Sequence, residues 1–150
     1  MNNDEKYMRI ALEEAEKASS IDEVPVGCVI VKSDTVIAKS HNLREKTKDP
    51  TDHAEIATIR EASKVLNDWQ LVDCDIYVTV EPCLMCAGAI IQSRIRRVIY
   101  GAPDPKGGAF GSSYNVLEAK SINHRPEVIG GVLEQECSEI IMNYFKSKRK

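Results

Sequence analysis

Apolar positions recur every three to four residues from Asp4 to about Ser19, where Tyr7, Met8, Ala11, Leu12, Ala15 and Ala18 make one face and Glu and Lys make the other. That period predicts an amphipathic helix. The pattern then changes. "VPVGCVIV" (Val24–Val31) and "TVIAKS" (Thr35–Ser40) are β-branched runs separated only by "KSD", which predicts an antiparallel hairpin. The polar stretch "HNLREKTKDPTD" (His41–Asp52) reads as a loop leading into "HAEIATIREASKVL", where Ile56, Ile59, Val65 and Leu66 restore helical spacing. "CDIYVTV" (Cys74–Val80) predicts a strand, "CLMCAGAIIQS" a helix and "RRVIYGA" a further strand. Two apolar strands joined through a helix form a βαβ unit and imply parallel pairing in part of the sheet. The Gly- and Pro-rich "APDPKGGAFGSSYN" is long for a plain connection and reads as a functional loop. Leu133, Cys137, Ile140, Ile141 and Tyr144 mark a closing helix. The alternation predicts an α/β chain: a single three-layer α/β/α domain, residues 1–150, with a mixed central sheet of about five strands.

Composition narrows what such a domain can do. A chain of 150 residues with 43% hydrophobic and 29% charged residues suits one soluble globular domain with its own core. The start, "MNNDEKYMRIALEEA", is acidic and polar where a secretory signal is basic and then apolar, and no apolar run reaches membrane-spanning length. A cytoplasmic protein with no membrane partner is expected. In a reducing compartment, five cysteines point to metal or redox chemistry before disulfides. The net charge of −3 argues against a wholly basic nucleic-acid surface, while the terminal "KSKRK" leaves room for a local basic patch.

Cys83 and Cys86 stand three apart, directly after Pro82 and at the front of an apolar helical run. They therefore share a face of the first turn, where free backbone N–H groups and the helix dipole favour a thiolate. A redox pair, a structural metal corner and part of a catalytic metal site all fit that much. "HAE" at His53–Glu55, placed where a loop enters the preceding helix, decides among them by adding a third ligand. One His and two Cys leave a tetrahedral zinc with an open fourth position, the arrangement of a catalytic site. Water in that position becomes acidic enough to act as nucleophile near neutral pH, and Glu55, not needed as a ligand, is the candidate general acid and base. A closed structural zinc module would need a second Cys or His pair at short spacing, and the chain shows none.

"HAE", "PCLMC" and "YVTVEPC" resemble the cytidine-deaminase-like superfamily of zinc deaminases, and the resemblance runs from the first helix to the end of the chain. "PCLMCAGAIIQSRIRRVIYGAPDPKGGAFGS" and "NHRPEVIGGVLEQEC" are similar to its bacterial branch that converts the wobble adenosine of an arginine tRNA to inosine. The resemblance implies one Zn²⁺ per subunit on His53, Cys83 and Cys86, with Glu55 as proton shuttle during attack on C6 of a flipped-out adenine. It makes Asn42 the residue that hydrogen-bonds the purine. It also offers Asp104, Lys106, Asn123, Tyr144, Phe145 and Arg149 as substrate contacts. It implies a tRNA anticodon stem-loop as substrate, a homodimer packed through the second ligand-bearing helix, and no organic cofactor. The alternative within the same chemistry is a deaminase of a free base or nucleoside, such as guanine, cytosine or cytidine.

Taken without the family, several of these residues have plainer roles. Asn42 beside His41 reads as a turn residue bonding its own backbone. His41 and His124 read as polar loop residues, Cys28, Cys74 and Cys137 as small buried hydrophobes, and Glu81 as a complement to the dipole of the ligand helix. "KSKRK" reads as a solvated tail, although Tyr144 and Phe145 before it suit base stacking.

Overall fold

In the computed structural model, which describes residues 3–148, the elements run α1 (Asn3–Ser20), β1 (Gly27–Lys32), β2 (Thr35–His41), α2 (Arg44–Thr47), α3 (Ala54–Leu66), β3 (Cys74–Val80), α4 (Leu84–Gln92), β4 (Arg97–Ala102), β5 (Glu127–Ile129) and α5 (Glu134–Lys148). The strands order as β2-β1-β3-β4-β5. β1 pairs antiparallel with β2 and β3, whereas β3–β4 and β4–β5 are parallel. Ser33 and Asp34, at φ 51° and 59°, form the two-residue turn of the β1–β2 hairpin, the left-handed pair that matches strand twist.

The period-two pattern of the central strands sorts their side chains to opposite faces. Cys28 and Ile30 of β1, with Cys74, Ile76 and Val78 of β3, pack against Ala54 and Ala62 of α3 and Ala87 and Ile90 of α4. Val29 and Val31, with Tyr77 and Ile99, pack against Tyr7, Met8 and Ala11 of α1 and Cys137 of α5. Helices thus cover both faces of a mixed five-stranded sheet, the three layers expected. Cys28, Cys74 and Cys137 are all wholly buried, as small hydrophobes.

Five details depart from the pattern. The first strand begins at Gly27, three residues later than the run starts, since the Val26 amide donates to the Val24 carbonyl at 2.8 Å in a local turn. The stretch 41–52 contains the short α2, and the three-residue β5 comes from "EVI", too brief and too little buried to stand out as a periodic run. Leu133 stands at φ 54° just ahead of α5 and is not part of the helix. Val65 is exposed, so α3 meets the sheet mainly through the small residues Ala54, Thr58 and Ala62.

α1 lies directly on β1 at Gly27, where an added Cβ would sit 1.8 Å from the Ala11 carbonyl oxygen and 2.6 Å from the Ala15 nitrogen. Both obstacles are backbone and neither can swing aside. Gly27→Ala is therefore expected to cost about 3 kcal/mol, the upper end for overpacking, seen as a lower urea midpoint at unchanged m-value. Among the described residues, no helix is long and apolar enough to cross a membrane.

Candidate active site

The carboxyl ends of β3 and β4 and the starts of α3 and α4 converge on one spot, where α/β sheets commonly place ligands. His53 is the residue that opens α3 and Cys83 the one that opens α4; both backbones are extended, at φ −71° and −76°, so their side chains project from the helix ends. Pro82 therefore stands one place outside the helix. Cys86 follows in the first turn of α4 and is wholly buried. The loop that delivers His53 is braced on both sides: Asp49 accepts from the Thr51 amide at 2.8 Å, and Asp52 accepts from the Thr47 hydroxyl at 2.8 Å and pairs with Arg60.

His53 Nδ1 lies 3.7 Å from Cys83 Sγ and 3.6 Å from Cys86 Sγ, and the three atoms are within 4.8 Å of one another. Zinc bonds of about 2.3 Å to sulfur and about 2.0–2.1 Å to nitrogen at the tetrahedral angle require N···S edges of about 3.6 Å. The donor set thus fits a zinc ion in both type and spacing. The two thiols also divide their protons unequally. A hydrogen bond from Cys86, reinforced by His53, brings the Cys83 thiol down to about 4 despite its partial burial, and the same contact holds Cys86 protonated. One thiolate is therefore ready for a metal.

Glu55 sits in the first turn of α3, 4% exposed, and is no part of the three-ligand set. Burial raises its carboxyl to about 7, with the thiolate of Cys83 adding to the shift and His53 and a hydrogen bond from Cys86 opposing it. A carboxyl poised near neutrality can both take and give a proton. Glu55, His53, Cys83, Asn42 and Asp104 line a single cavity of ≈ 170 Å³, closed by Val24, Val26, Val80, Glu81 and Arg44. Asn42 is buried there; its Oδ1 accepts from the Arg44 amide at 3.2 Å and its Nδ2 donates to the Val24 carbonyl at 3.4 Å. It is a turn residue and a cavity wall at once.

Sequence reasoning missed the part played by Glu81. Its buried carboxylate accepts from the amides of Asp104 at 3.1 Å, Phe110 at 3.0 Å and Ser112 at 3.2 Å, and from the Ser112 hydroxyl. Burial works against the charge, but these four donors outweigh it and hold the carboxyl below its usual range. Gly108 passes so close that an added Cβ would lie 2.4 Å from the Glu81 carboxyl carbon. Glu81 thus anchors the whole 104–112 loop beside the cavity. The glycines of that loop were the only hint in the sequence, since backbone donors carry no signature of their own.

The other candidates fall in different places. Asp104 reaches the cavity, and its carboxylate also accepts from the amides of Lys106 and Gly107, while Lys106 itself is exposed on the loop. Tyr144 and Phe145 line a neighbouring groove of ≈ 680 Å³ that shares Val24 and Arg44 with the cavity wall. There the Tyr144 hydroxyl donates to Asp22, and Lys148 pairs with Asp22. Asn123 is exposed beside His124, whose Nε2 is 2.6 Å from the Ile95 carbonyl just before β4, so it is held at the far end of the parallel strands from the cavity. Arg149 lies outside the described residues. His41 is no ligand; its Nδ1 meets Glu14 of α1 at 3.0 Å.

The chain is similar to known proteins along nearly its whole length. Residues 2–149 match the family model of the MafB19-like deaminases. The tRNA-specific adenosine deaminase of Bacillus subtilis is 47% identical over 150 residues, covering 100% of this chain and 93% of that protein. That of Haemophilus influenzae is 45% identical, covering 98% and 86%. The chain belongs to the tRNA-specific adenosine deaminase family. Within that family, a structure from a study of A-to-I editing by tRNA:A34 deaminases at the wobble position superposes with a TM-score of 0.88 at 47% identity, over 90% of this chain and 98% of that one. The guanine deaminase of Bacillus subtilis is more distant, with a TM-score of 0.65 at 32% identity over 80% of this chain and 87% of that one.

Proposed function

We propose that this protein, acting as one deaminase domain, converts the wobble adenosine of a tRNA anticodon loop to inosine by hydrolysis. The observation that carries the reading is the joining of a zinc-shaped His53, Cys83, Cys86 triangle to a buried Glu55 in one cavity, on a chain 47% identical to a tRNA-specific adenosine deaminase. His53, Cys83 and Cys86 would hold a zinc ion, which would supply the Lewis acidity that makes a water nucleophilic toward C6. Glu55 takes one proton from the water and delivers it to the adenine ring nitrogen, then takes the second from the hydroxyl now on C6 and passes it to the departing amine, so that ammonia leaves and the base becomes hypoxanthine. Asn42 orients the purine from the cavity wall. The cavity admits one base, so the target must leave the loop stack, at a lower cost than in a duplex.

The finer assignments follow from the same reading. Asp104 and Lys106 on the Glu81-anchored loop, Tyr144 and Phe145 along the adjoining groove, and Asn123 and Arg149 are the proposed RNA contacts. The substrate is an arginine tRNA, the compartment is the cytoplasm, and the active form is a homodimer with one zinc per subunit. Leu84 and Met85 expose apolar surface on α4, the helix expected to pack against the partner, and Asn123 would serve RNA from a face remote from its own subunit's cavity.

The test is inosine formation by zinc-loaded protein on a short anticodon stem-loop carrying a wobble adenosine, with free adenosine, cytidine, cytosine and guanine in parallel. Inosine from the stem-loop with no ammonia from the free compounds is the expected result. Ammonia from guanine or another free compound alone would keep the zinc chemistry and overturn the RNA substrate.

A further inference from the structure

Glu23 is 1% exposed, and the mechanism makes no use of it. Its backbone is set by the end of α1, where Asp22 at φ 63° turns the chain and the Glu23 amide donates to the Ala18 carbonyl at 2.9 Å. Its side chain reaches across to the segment that follows Asn42. Oε1 accepts from the Glu45 amide at 3.0 Å and Oε2 from the Lys46 amide at 2.7 Å. Helix α2 has no side-chain cap from Leu43, the residue that precedes it. Its opening N–H groups are instead satisfied from two sides: Arg44 by the Asn42 side chain at 3.2 Å, and Glu45 and Lys46 by Glu23. The return contacts run the other way, since the Asn42 amide and its Nδ2 donate to the carbonyls of Val26 and Val24. Residues 23–26 and 42–46 are thus clasped together, and four of them, Val24, Val26, Asn42 and Arg44, are walls of the cavity.

We propose that Glu23 is a positioning residue for the substrate: by holding the first turn of α2 it fixes the angle at which Asn42 and Arg44 face the base. The carboxylate suits this role where an amide does not. Both its oxygens accept, whereas glutamine would turn an NH₂ toward one of the two amides and leave a buried donor unpaired. On the other side of Asn42, the His41–Glu14 contact at 3.0 Å ties the end of β2 to α1, so the purine-facing residue is held at both flanks.

The inference rests on the adenosine deaminase reading and is tested in the same assay. For Glu23→Gln, KM for the stem-loop should rise tenfold or more while kcat at saturating RNA stays within twofold and zinc content is unchanged. Because the effect runs through Asn42, adding Glu23→Gln to Asn42→Ala should change KM less than twofold. Glu23→Asp, too short to reach both amides, provides a second variant with the same expected direction. A fall in kcat at unchanged KM, a full tenfold effect persisting in the Asn42→Ala background, or failure of both variants to fold with zinc would each overturn it. The two readings fail separately: parent protein that turns over only a free base sinks the RNA assignment, and the clasp is then judged on KM for that base.

Discussion

Replacing Glu55 by alanine should lower inosine formation by about 10²–10⁴-fold, the usual contribution of a positioned proton carrier, while leaving zinc content and stem-loop affinity unchanged. The expectation follows from position. Glu55 stands outside the His53, Cys83, Cys86 triangle, so its loss removes no metal ligand, yet it lines the same cavity and its carboxyl is held near neutrality by burial. A residue bound to the metal would behave differently, and zinc lost along with the side chain would refute the shuttle role. Glu55→Gln sharpens the test by keeping the size and hydrogen-bonding capacity of the side chain while abolishing proton transfer. It should match the alanine variant in activity. Glutamine also removes a charge that the buried site disfavours, so the variant should melt no lower than the parent. Activity within tenfold of the parent would move the proton-carrying role elsewhere.

The parts of this molecule that were legible in the sequence are those in which a residue's type and spacing themselves carry the physics. The alternation of Val29 and Val31 against Cys28 and Ile30 reports two buried faces, and the three-residue interval between Cys83 and Cys86 reports a shared helix face. His53 and Glu55 could be assigned different tasks because one opens the helix and the other is already inside it. What stayed hidden is carried by carboxylates that bind backbone amides. Glu81 gathers the amides of Asp104, Phe110 and Ser112, and Glu23 gathers those of Glu45 and Lys46 from 22 and 23 positions away. Any residue except proline can offer an amide, so no composition or period marks the receiving segment. The short α2 was missed for this reason, since its capping group lies on another part of the chain. β5 was missed for a different one: three residues with mixed exposure leave no period to read. The place of Asn123 could not be read from its neighbours in the motif, because the His124–Ile95 contact puts it at the opposite end of the sheet from the cavity.

Removing one ligand should have the larger consequence, because chemistry and fold both draw on it. Cys86 is wholly buried in the first turn of α4, with its sulfur 3.6 Å from His53 Nδ1 and its thiol in contact with both Cys83 and Glu55. Cys86→Ala leaves two protein ligands where a zinc site needs three, so zinc content should fall below about one-tenth of the parent's and inosine formation should vanish with it. The structural effect follows by linkage, since a metal that binds only the folded chain stabilises it by about 4 kcal/mol at a thousand times its dissociation constant. Parent protein stripped by a chelator should therefore melt several degrees lower and recover on adding zinc, whereas Cys86→Ala should melt low and not respond. Cobalt(II) in place of zinc separates a catalytic from a closed site. With three protein ligands, azide or another small anion should perturb the cobalt spectrum by entering the fourth position, and a spectrum indifferent to such anions would mean that a further protein ligand closes the site and that the hydrolytic mechanism is wrong. A Cys86→Ala protein that kept its zinc would remove this residue from the ligand set, and with it the match between the 3.6 Å and 3.7 Å edges at His53 and a tetrahedral ion.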